Sequence, residues 1–474
     1  MRGRLSSRPG TLIPLVAVCL LLVPGLSCRR GEAVEQGSVE KEAEDLLVRY
    51  IRIDTSNPPG NETKAARFFH EIFLAEGIES RLVGDDPNRQ SIHARLDSGS
   101  DAPALLLLHH LDVVPAIDSE WSVPPFEGRR AKGYIWGRGA LDIKSLGIAQ
   151  LMALLELHRT GTPLARDLVF LGVADEEAGG TRGAFALLES EPELFENVGW
   201  VLNEGGANET IVDRNSWWGI EVDQKVPLWL RVVSRGSAGH GALPPPDGGA
   251  PMRLVEALSS IGEIPTPWRL TPTVAAYFRS LSAVKPPLDV KKKILADPSA
   301  WFDRPELGHL PPGALALLRD TVSLTVIRAG ETINAIPPTA AAELDIRLLP
   351  GSDPASFLAK LVETVGKSVE IEILLEGRPA PPSPVDTPLF SIIARAAREA
   401  SPGSEVGPYV SAGSSDSRFF RERGIVAYGF NPFLVNYYDG YTIHGVDERI
   451  RARFFASGVA LMRRIVRDAA TAAP

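Results

Sequence analysis

Three apolar runs, each followed by a cluster of imidazole or carboxylate groups, narrow the folds open to this chain more than any other feature. Leu105 to Leu108 leads into His109-His110-Leu111-Asp112, Leu168 to Val173 into Asp175-Glu176-Glu177, and Trp200 to Leu202 into Asn203-Glu204-Gly205-Gly206. Short runs that are apolar throughout read as parallel strands buried on both faces. Helical patterns separate them, including Lys144 to Leu157, which stops before Gly161. The alternation predicts an α/β layered domain with a mostly parallel sheet. In open sheets of that kind ligands bind beyond the carboxyl ends of the strands, so groups far apart in sequence can converge there.

Two further groups suit the same edge. Asp142, in WGRGALDIKS, lies in a glycine-punctuated loop ahead of a helix, and His444, in IHGVDERI, precedes the last amphipathic helix. Each residue alone has a plain structural use. A buried His or Asp is more often a hydrogen-bonding residue than a ligand, an acidic pair on a loop is usually solvated, and an Asp opening a helix is an N-cap or dipole partner. The combination differs, because charges after buried strands are costly unless metals or partners neutralise them. Two histidines and three carboxylates can bind two zinc-class ions if one carboxylate bridges them. Metals about 3.5 to 4 Å apart hold a hydroxide between them and polarise a scissile carbonyl. A further carboxylate then carries the water's proton to the leaving nitrogen, and the adjacent Glu176 and Glu177 can divide these tasks.

At 474 residues with 44% hydrophobic and 23% charged, the chain excludes wholesale disorder and predicts two or three domains. Fifty Lys plus Arg against 59 Asp plus Glu give a net charge of -9, which leaves no basic footprint for nucleic acid. Residues 1–27 read as an export signal: Arg2, Arg4 and Arg8 precede an apolar run, Leu12 to Val23, too short to span a bilayer. Its end, LVPGLSC, resembles the lipobox of bacterial lipoproteins, with Gly25 where Leu is usual. The other cysteine, Cys19, lies inside the run, so a mature chain starting at Cys28 has one thiol and no intrachain disulfide. The expectation is an exported protein held on a membrane surface through lipidated Cys28, facing the periplasm or cell exterior; an ordinary cleaved signal is the alternative. Residues 28–40 read as a polar tether, and the folded body begins near Lys41.

The ordered motifs HHLDVVP, WGRGALDIKS, DEE, NEGG, GSAGHGALP, NAIPP, DIRLLPG and HGVDERI closely resemble the zinc-dependent peptidase and amidohydrolase family of acetylornithine deacetylase, succinyl-diaminopimelate desuccinylase, aminoacylase and carboxypeptidase S. The resemblance runs from about residue 45 to 465 and is nearest the carboxypeptidase S and N-acyl amino acid hydrolase branch. It implies His110 and Glu204 on one zinc, Glu177 and His444 on the other, and Asp142 as the bridge. Cobalt or manganese would suit the same set. Glu176 would be the general base and Asp112 the partner that orients His110, while His109 reads as structural. The implied reaction is hydrolysis of an amide or peptide bond next to a free carboxylate, in peptides or N-acyl amino acids, by water bridging the zinc ions. A cell-surface binding protein that keeps the fold without turnover is the alternative.

The stretch 226–378 has another texture and interrupts a catalytic domain formed by 41–225 and 379–474. Its strand and helix patterns run β-α-β-β-α-β, an inserted ferredoxin-like α+β domain. The resemblance makes it a lid and dimerisation domain, so a homodimer is expected. By the same resemblance His240 stabilises the oxyanion in the neighbouring subunit's site, Asn334 and Arg347 bind the substrate's carboxylate or acyl oxygen, and Gly413, Ser414 and Ser415 form a substrate loop. About 55 residues, Trp268 to Asp320, exceed an ordinary connection. This insertion, about 265–320, reads as an enlarged lid whose Phe278, Trp301, Phe302 and Leu310 either line an apolar substrate pocket or simply pack.

Overall fold

A computed structural model describes residues 26–211, 214–284 and 289–473. The apolar run Leu12 to Val23 lies outside the described residues, as does the side chain of Cys28. Two compact units are resolved, ending and beginning at Glu42 and Ala43. The described part of the first is helical from Leu26, including the stretch read as a tether. No helix among the described residues is long and apolar enough to cross a membrane.

The second unit is built on a nine-stranded sheet. At its centre the leucine strand, Ala104–His110, is buried at every position and runs parallel to Leu168–Val173 on one side and Val198–Asn203 on the other. A strand with water on neither face needs apolar side chains in both directions, which is why the run does not alternate. Val426–Gly429 continues the parallel set beside Val198–Asn203. The margins are Ser91–Leu96 and Ser80–Val83, paired antiparallel, and Arg214–Gln224 with Glu405–Ser411, paired parallel.

Helix Lys144–Thr160 is buried on nearly all sides because it is sandwiched between the sheet and the last helix, Ala452–Thr471. It ends at Gly161, whose φ of 59° closes the last turn as a left-handed cap. On the opposite face Leu187, Leu194, Phe195, Phe419 and Phe420 close the core.

Between strands Arg214–Gln224 and Val226–Arg235 the chain passes, through Lys225 alone, into a smaller β-rich body. Its four strands, Val226–Arg235, Thr321–Ala329, Thr339–Leu348 and Glu370–Glu376, are all antiparallel; numbered in chain order, they lie 2-3-1-4 across the sheet. Helices Gly249–Gly262 and Pro354–Val365 cover one face, against Leu228, Leu230, Leu344 and Ile346. Along Thr339–Leu348 burial alternates strictly, so Glu343, Asp345 and Arg347 line the face that the helices leave open.

The insertion 265–320 packs elsewhere. Helix Pro272–Ser282 lies on Glu405–Ser411, the outer strand of the large sheet. Phe278 and Leu310 are buried in a core shared with Trp217 and Val410 of that sheet, with Trp301 and Phe302 partly buried against it. Of the two readings of these side chains, the structure shows packing: their apolar surface covers a sheet margin that would otherwise face water.

Candidate metal centre

The leucine strand delivers His110 to the carboxyl edge of the sheet, where the ring is buried. Its Nδ1 donates to the backbone carbonyl of Asp112 at 2.9 Å, so Nε2 is left unprotonated in the neutral ring and faces Asp142 Oδ1 at 3.2 Å and Glu204 Oε1 at 3.9 Å. The Asp112 carboxylate instead accepts from the backbone N–H of Glu176 and of Glu177, both at 3.1 Å, and from Asn57 Nδ2 at 2.8 Å. Asp112 thus fixes the turn after Leu168–Val173 that carries both acids. That turn is sharp: Asp175 has a φ of 73°, and Gly180 N–H donates back to its carbonyl at 2.6 Å. A Cβ at Gly180 would collide with Asp416, so both its positive φ and the close approach require glycine.

Asp142 stands between two imidazoles. Its Oδ1 faces His110 as above, and its Oδ2 faces His444 Nε2 at 3.1 Å. His444 Nε2 also lies 3.2 Å from Glu177 Oε2. Glu448, four residues past His444, holds this pair of loops together. Fully buried, it accepts from the N–H groups of Gly139, Leu141 and Asp142 at 2.7 to 3.0 Å and pairs with Arg138 at 2.8 Å. Arg138 in turn donates to the carbonyl of Gly445 at 2.9 Å.

Among the described residues two groups of side chains could each hold a metal ion: His110, Asp142 and Glu177, and His110, Glu176 and Glu204, the ligand atoms of each lying within 4.8 Å of one another. The electrostatics fit cations. Burial raises Glu176, Glu177 and Glu204 above the usual carboxylate range, and the neighbouring carboxylates raise them further. Burial opposes the charged form of His110, yet Glu204, Asp112 and Asp142 hold it well above the ordinary imidazole value. His444 is pushed up to about 10 by its hydrogen bonds to Asp142 and Glu177. Glu177 Oε1 is buried without a hydrogen-bond partner. Mixed imidazole and carboxylate donors of this type suit zinc-class ions.

The other expected site residues divide into two sets. Arg347 donates from Nη1 to Ser414 Oγ at 2.8 Å and from Nε to Asp345 Oδ1 at 2.7 Å, which brings the small sheet onto the loop Gly413-Ser414-Ser415. Gln224 grips that loop: its Nε2 donates to the Ser415 carbonyl at 3.1 Å, and its Oε1 accepts from Ser415 N–H and Arg421. His240 and Asn334 are both exposed: His240 pairs with Ala335 on a two-residue ribbon, and Asn334, just before it, accepts from Gly241 N–H at 2.8 Å through its carbonyl. Among the described residues no hydrogen bond or ion pair joins either one to the metal group.

Sequence reasoning missed Glu448, Arg138, Asn57 and Gln224. Glu448 was within reach, since a second acid in HGVDERI needed a partner, whereas Asn57 and Gln224 carry no local signal. Asp416 was missed as well. It is buried with neither carboxylate oxygen hydrogen-bonded, and burial pushes it up to about 7.

The model of Peptidase family M20/M25/M40 matches residues 106–468. The chain is 30% identical over 472 residues to N-fatty-acyl-amino acid synthase/hydrolase PM20D1 of Xenopus tropicalis, covering 93% of this chain and 90% of that protein. It is 27% identical over 430 residues to human Aminoacylase-1, covering 89% and 93%. In fold it resembles the metallo-carboxypeptidase Sso-CP2 of Sulfolobus solfataricus, with a TM-score of 0.72 at 19% identity over 90% of this chain and 98% of that one. Human carnosine dipeptidase 1 gives 0.68 at 17% over 92% and 97%.

Proposed function

The chain belongs to peptidase family M20/M25/M40, and from that premise we propose that this metal-dependent amide and peptide hydrolase acts on N-acyl amino acids or short peptides bearing a free carboxylate beside the scissile bond. One observation carries the reading: the two oxygens of Asp142 face different imidazoles, His110 at 3.2 Å and His444 at 3.1 Å, as a carboxylate shared by two metal ions must. His110 and Glu204 would hold one ion, Glu177 and His444 the other, and Asp142 would be shared between them. Zinc suits this set, with cobalt or manganese as substitutes. When bound, the ions supply Lewis acidity toward the scissile carbonyl and acidify water.

The chain's own residues do the rest. Glu176 takes the water's proton and returns it to the leaving nitrogen, a task helped by surroundings that raise its pKa. Asp112 holds Glu176 in place through its backbone N–H and fixes the tautomer of His110 through its own carbonyl. Arg347, whose planar fork already points at Ser414, binds the substrate carboxylate together with the 413–415 loop. The relatives point the same way, since N-fatty-acyl-amino acid hydrolase and aminoacylase are both named for amides of amino acids.

Residues 41–225 and 379–474 form the catalytic domain, and 226–378 a ferredoxin-like lid and dimerisation domain. The 2-3-1-4 antiparallel order supports that label. In a homodimer the exposed His240 and Asn334 serve the neighbouring subunit's site, His240 stabilising the oxyanion. Lipidation of Cys28 anchors the exported protein to a membrane surface.

The test is a panel of N-acyl amino acids and dipeptides, with zinc, for the parent and for Glu176→Gln. The parent releases free amino acid and a chelator stops it, while the variant keeps its metal content and loses about 10²- to 10⁴-fold in kcat. Turnover of no member by protein holding two metals would overturn the reading in favour of a binding protein.

A further inference from the structure

Glu176 and Glu177 leave the sheet on a turn whose first residue, Asp175, has a φ of 73°, a conformation that side chains other than glycine rarely adopt. The direction of both acids therefore depends on what grips the turn from outside. Asp112 grips it on one side, through the N–H groups of Glu176 and Glu177. On the other side stands Arg89, a buried guanidinium to which the proposed mechanism gives no task.

Topology explains how residue 89 reaches this place. Strand Ser91–Leu96 runs antiparallel to Leu168–Val173, with Ile92 opposite Gly172. Its amino end thus lies at the edge where the parallel strands present their carboxyl ends, and a residue just ahead of it meets the acid cluster. The approach is fixed on both flanks of Arg89. Thr63 N–H donates to the Asn88 carbonyl at 3.1 Å, Gln90 N–H to Thr63 Oγ1 at 2.8 Å, and Ala174 N–H to Ser91 Oγ at 3.1 Å.

Arg89 spans two carboxylates. Its Nε donates to Glu62 Oε2 at 3.1 Å and its Nη2 to Glu62 Oε1 at 2.6 Å, the paired geometry that suits a planar guanidinium. Nη2 also lies 2.9 Å from Asp175 Oδ1. Glu62 is wholly buried at the head of helix Thr63–Ala75, so the fork is anchored on a regular element, and its Oε1 accepts from Asp175 N–H at 3.3 Å as well. Asp175 Oδ2 accepts from Arg182 N–H at 2.9 Å, which closes the far end of the turn. Asn57 joins the two grips: its Nδ2 donates to Asp112 Oδ2 at 2.8 Å and lies 3.5 Å from Asp175 Oδ1. Glu62, Asp112 and Asp175 are thus three buried carboxylates in one network, and without a cation among them their repulsion would drive the turn open. The hydrogen bond to Glu62, and then the charges of Glu62, Asp175 and Asp112, hold the guanidinium above its ordinary pKa, so the cation is permanent.

We infer that Arg89 is a positioning residue for the general base: clamped on Glu62, it holds Asp175 and so sets where the Glu176 carboxylate stands. The inference rests on the assignment of Glu176 as base made above.

The experiment compares the zinc-loaded parent, Arg89→Met, Asp175→Asn and the double variant on the best substrate of the panel. Arg166→Met is the control for losing a buried arginine elsewhere, since Arg166 donates to the carbonyls of Pro103 and Ala469 at the amino ends of the strands. The control lowers Tm and leaves the kcat of the folded protein unchanged. Arg89→Met keeps the parent's metal content and its KM, while kcat falls about 10- to 100-fold. Asp175→Asn lowers kcat too, in a residue type that still accepts the left-handed turn, and the double variant is no slower than the slower single one. In metal-free Arg89→Met the Glu176 and Glu177 amide hydrogens exchange faster than in the parent. Where Arg89→Met does not fold, Arg89→Lys takes its place in the cycle, because it keeps the charge and loses the fork. Full kcat in the Arg89 variant, losses that add to those of Asp175→Asn, unchanged exchange at Glu176 and Glu177, or a fall accounted for by lost metal each overturns the positioning role and leaves amide hydrolysis standing. A Glu176→Gln variant as fast as the parent overturns the assignment on which the inference rests.

Discussion

His109 and His110 are neighbours in the chain whose side chains meet opposite surroundings, because successive residues of a strand face opposite ways. His110 enters the acid cluster. His109 turns into the core between Phe69 and Phe170, with ring centroids at 5.3 and 5.0 Å, and its Nδ1 lies 3.1 Å from Gln150 Oε1. Burial pushes it down to about 3. A pKa below the unfolded value of about 6.5 means that the unfolded chain binds the extra proton first, so stability present above about pH 6.5 is lost as pH falls toward 3. Urea unfolding of His109→Gln at pH 6.5, 5.5 and 4.5 should show a shallower loss than the parent, by roughly 1 kcal/mol per pH unit; parallel curves would refute it. Glu448 makes a second prediction at this scale. Glu448→Gln leaves Arg138 buried without its charge partner and weakens the support of the Asp142 backbone. A stability loss of about 3 kcal/mol is expected, together with metal affinity down about 10- to 100-fold. Unfolding curves and metal titrations check the two effects separately.

At the scale of elements, Lys225 is the single residue between a strand of the large sheet and a strand of the small one. Its buried Nζ donates to the carbonyls of Ala316 and Arg319 and to Thr321 Oγ, at 2.9, 3.0 and 2.9 Å, and so fastens the end of the insertion to the crossing point. Lys225→Met should cost about 1–3 kcal/mol through the acceptors left unpaired. Amide exchange should quicken around residues 312–321 and hold steady in Ala104–His110. Uniform quickening would show that the lysine serves the whole fold instead. Elements were also where the sequence spoke most clearly. The leucine run, the helix Lys144–Thr160 and the alternation along Thr339–Leu348 carry their burial in their periodicity, and their bounds fall within a few residues of the pattern. The insertion was less legible, because Phe278 and Leu310 have the same composition whether they line a pocket or cover a sheet margin. Likewise the converging acids could be read from the strand ends, but Asn57 and Gln224 gain meaning only from partners 55 and 191 residues away.

For the whole molecule the acid cluster sets a pH dependence that metal should remove. Glu176, Glu177 and Glu204 are held above their ordinary values by burial and by neighbouring carboxylates, Asp142 among them, and burial pushes Asp416 up to about 7. Groups with a raised folded pKa stabilise below the unfolded value and lose that contribution as pH rises through the folded one. The metal-free protein should therefore melt at a lower temperature at pH 8 than at pH 6, and zinc should raise Tm more at pH 8. Equal gains at both would mean that the ions do not neutralise this cluster. The groups that could hold a metal come from positions 110, 142, 176–177 and 204, His444 lies against Asp142, and Glu448 reaches back to brace the loop of Asp142. A polypeptide emerging from the ribosome has thus made most of its sheet before His444 and Glu448 can reach the loop of Asp142. Until then that loop lacks both the imidazole that faces Asp142 Oδ2 and the buried carboxylate that accepts from its backbone N–H groups, so its final shape waits on a residue 306 positions downstream.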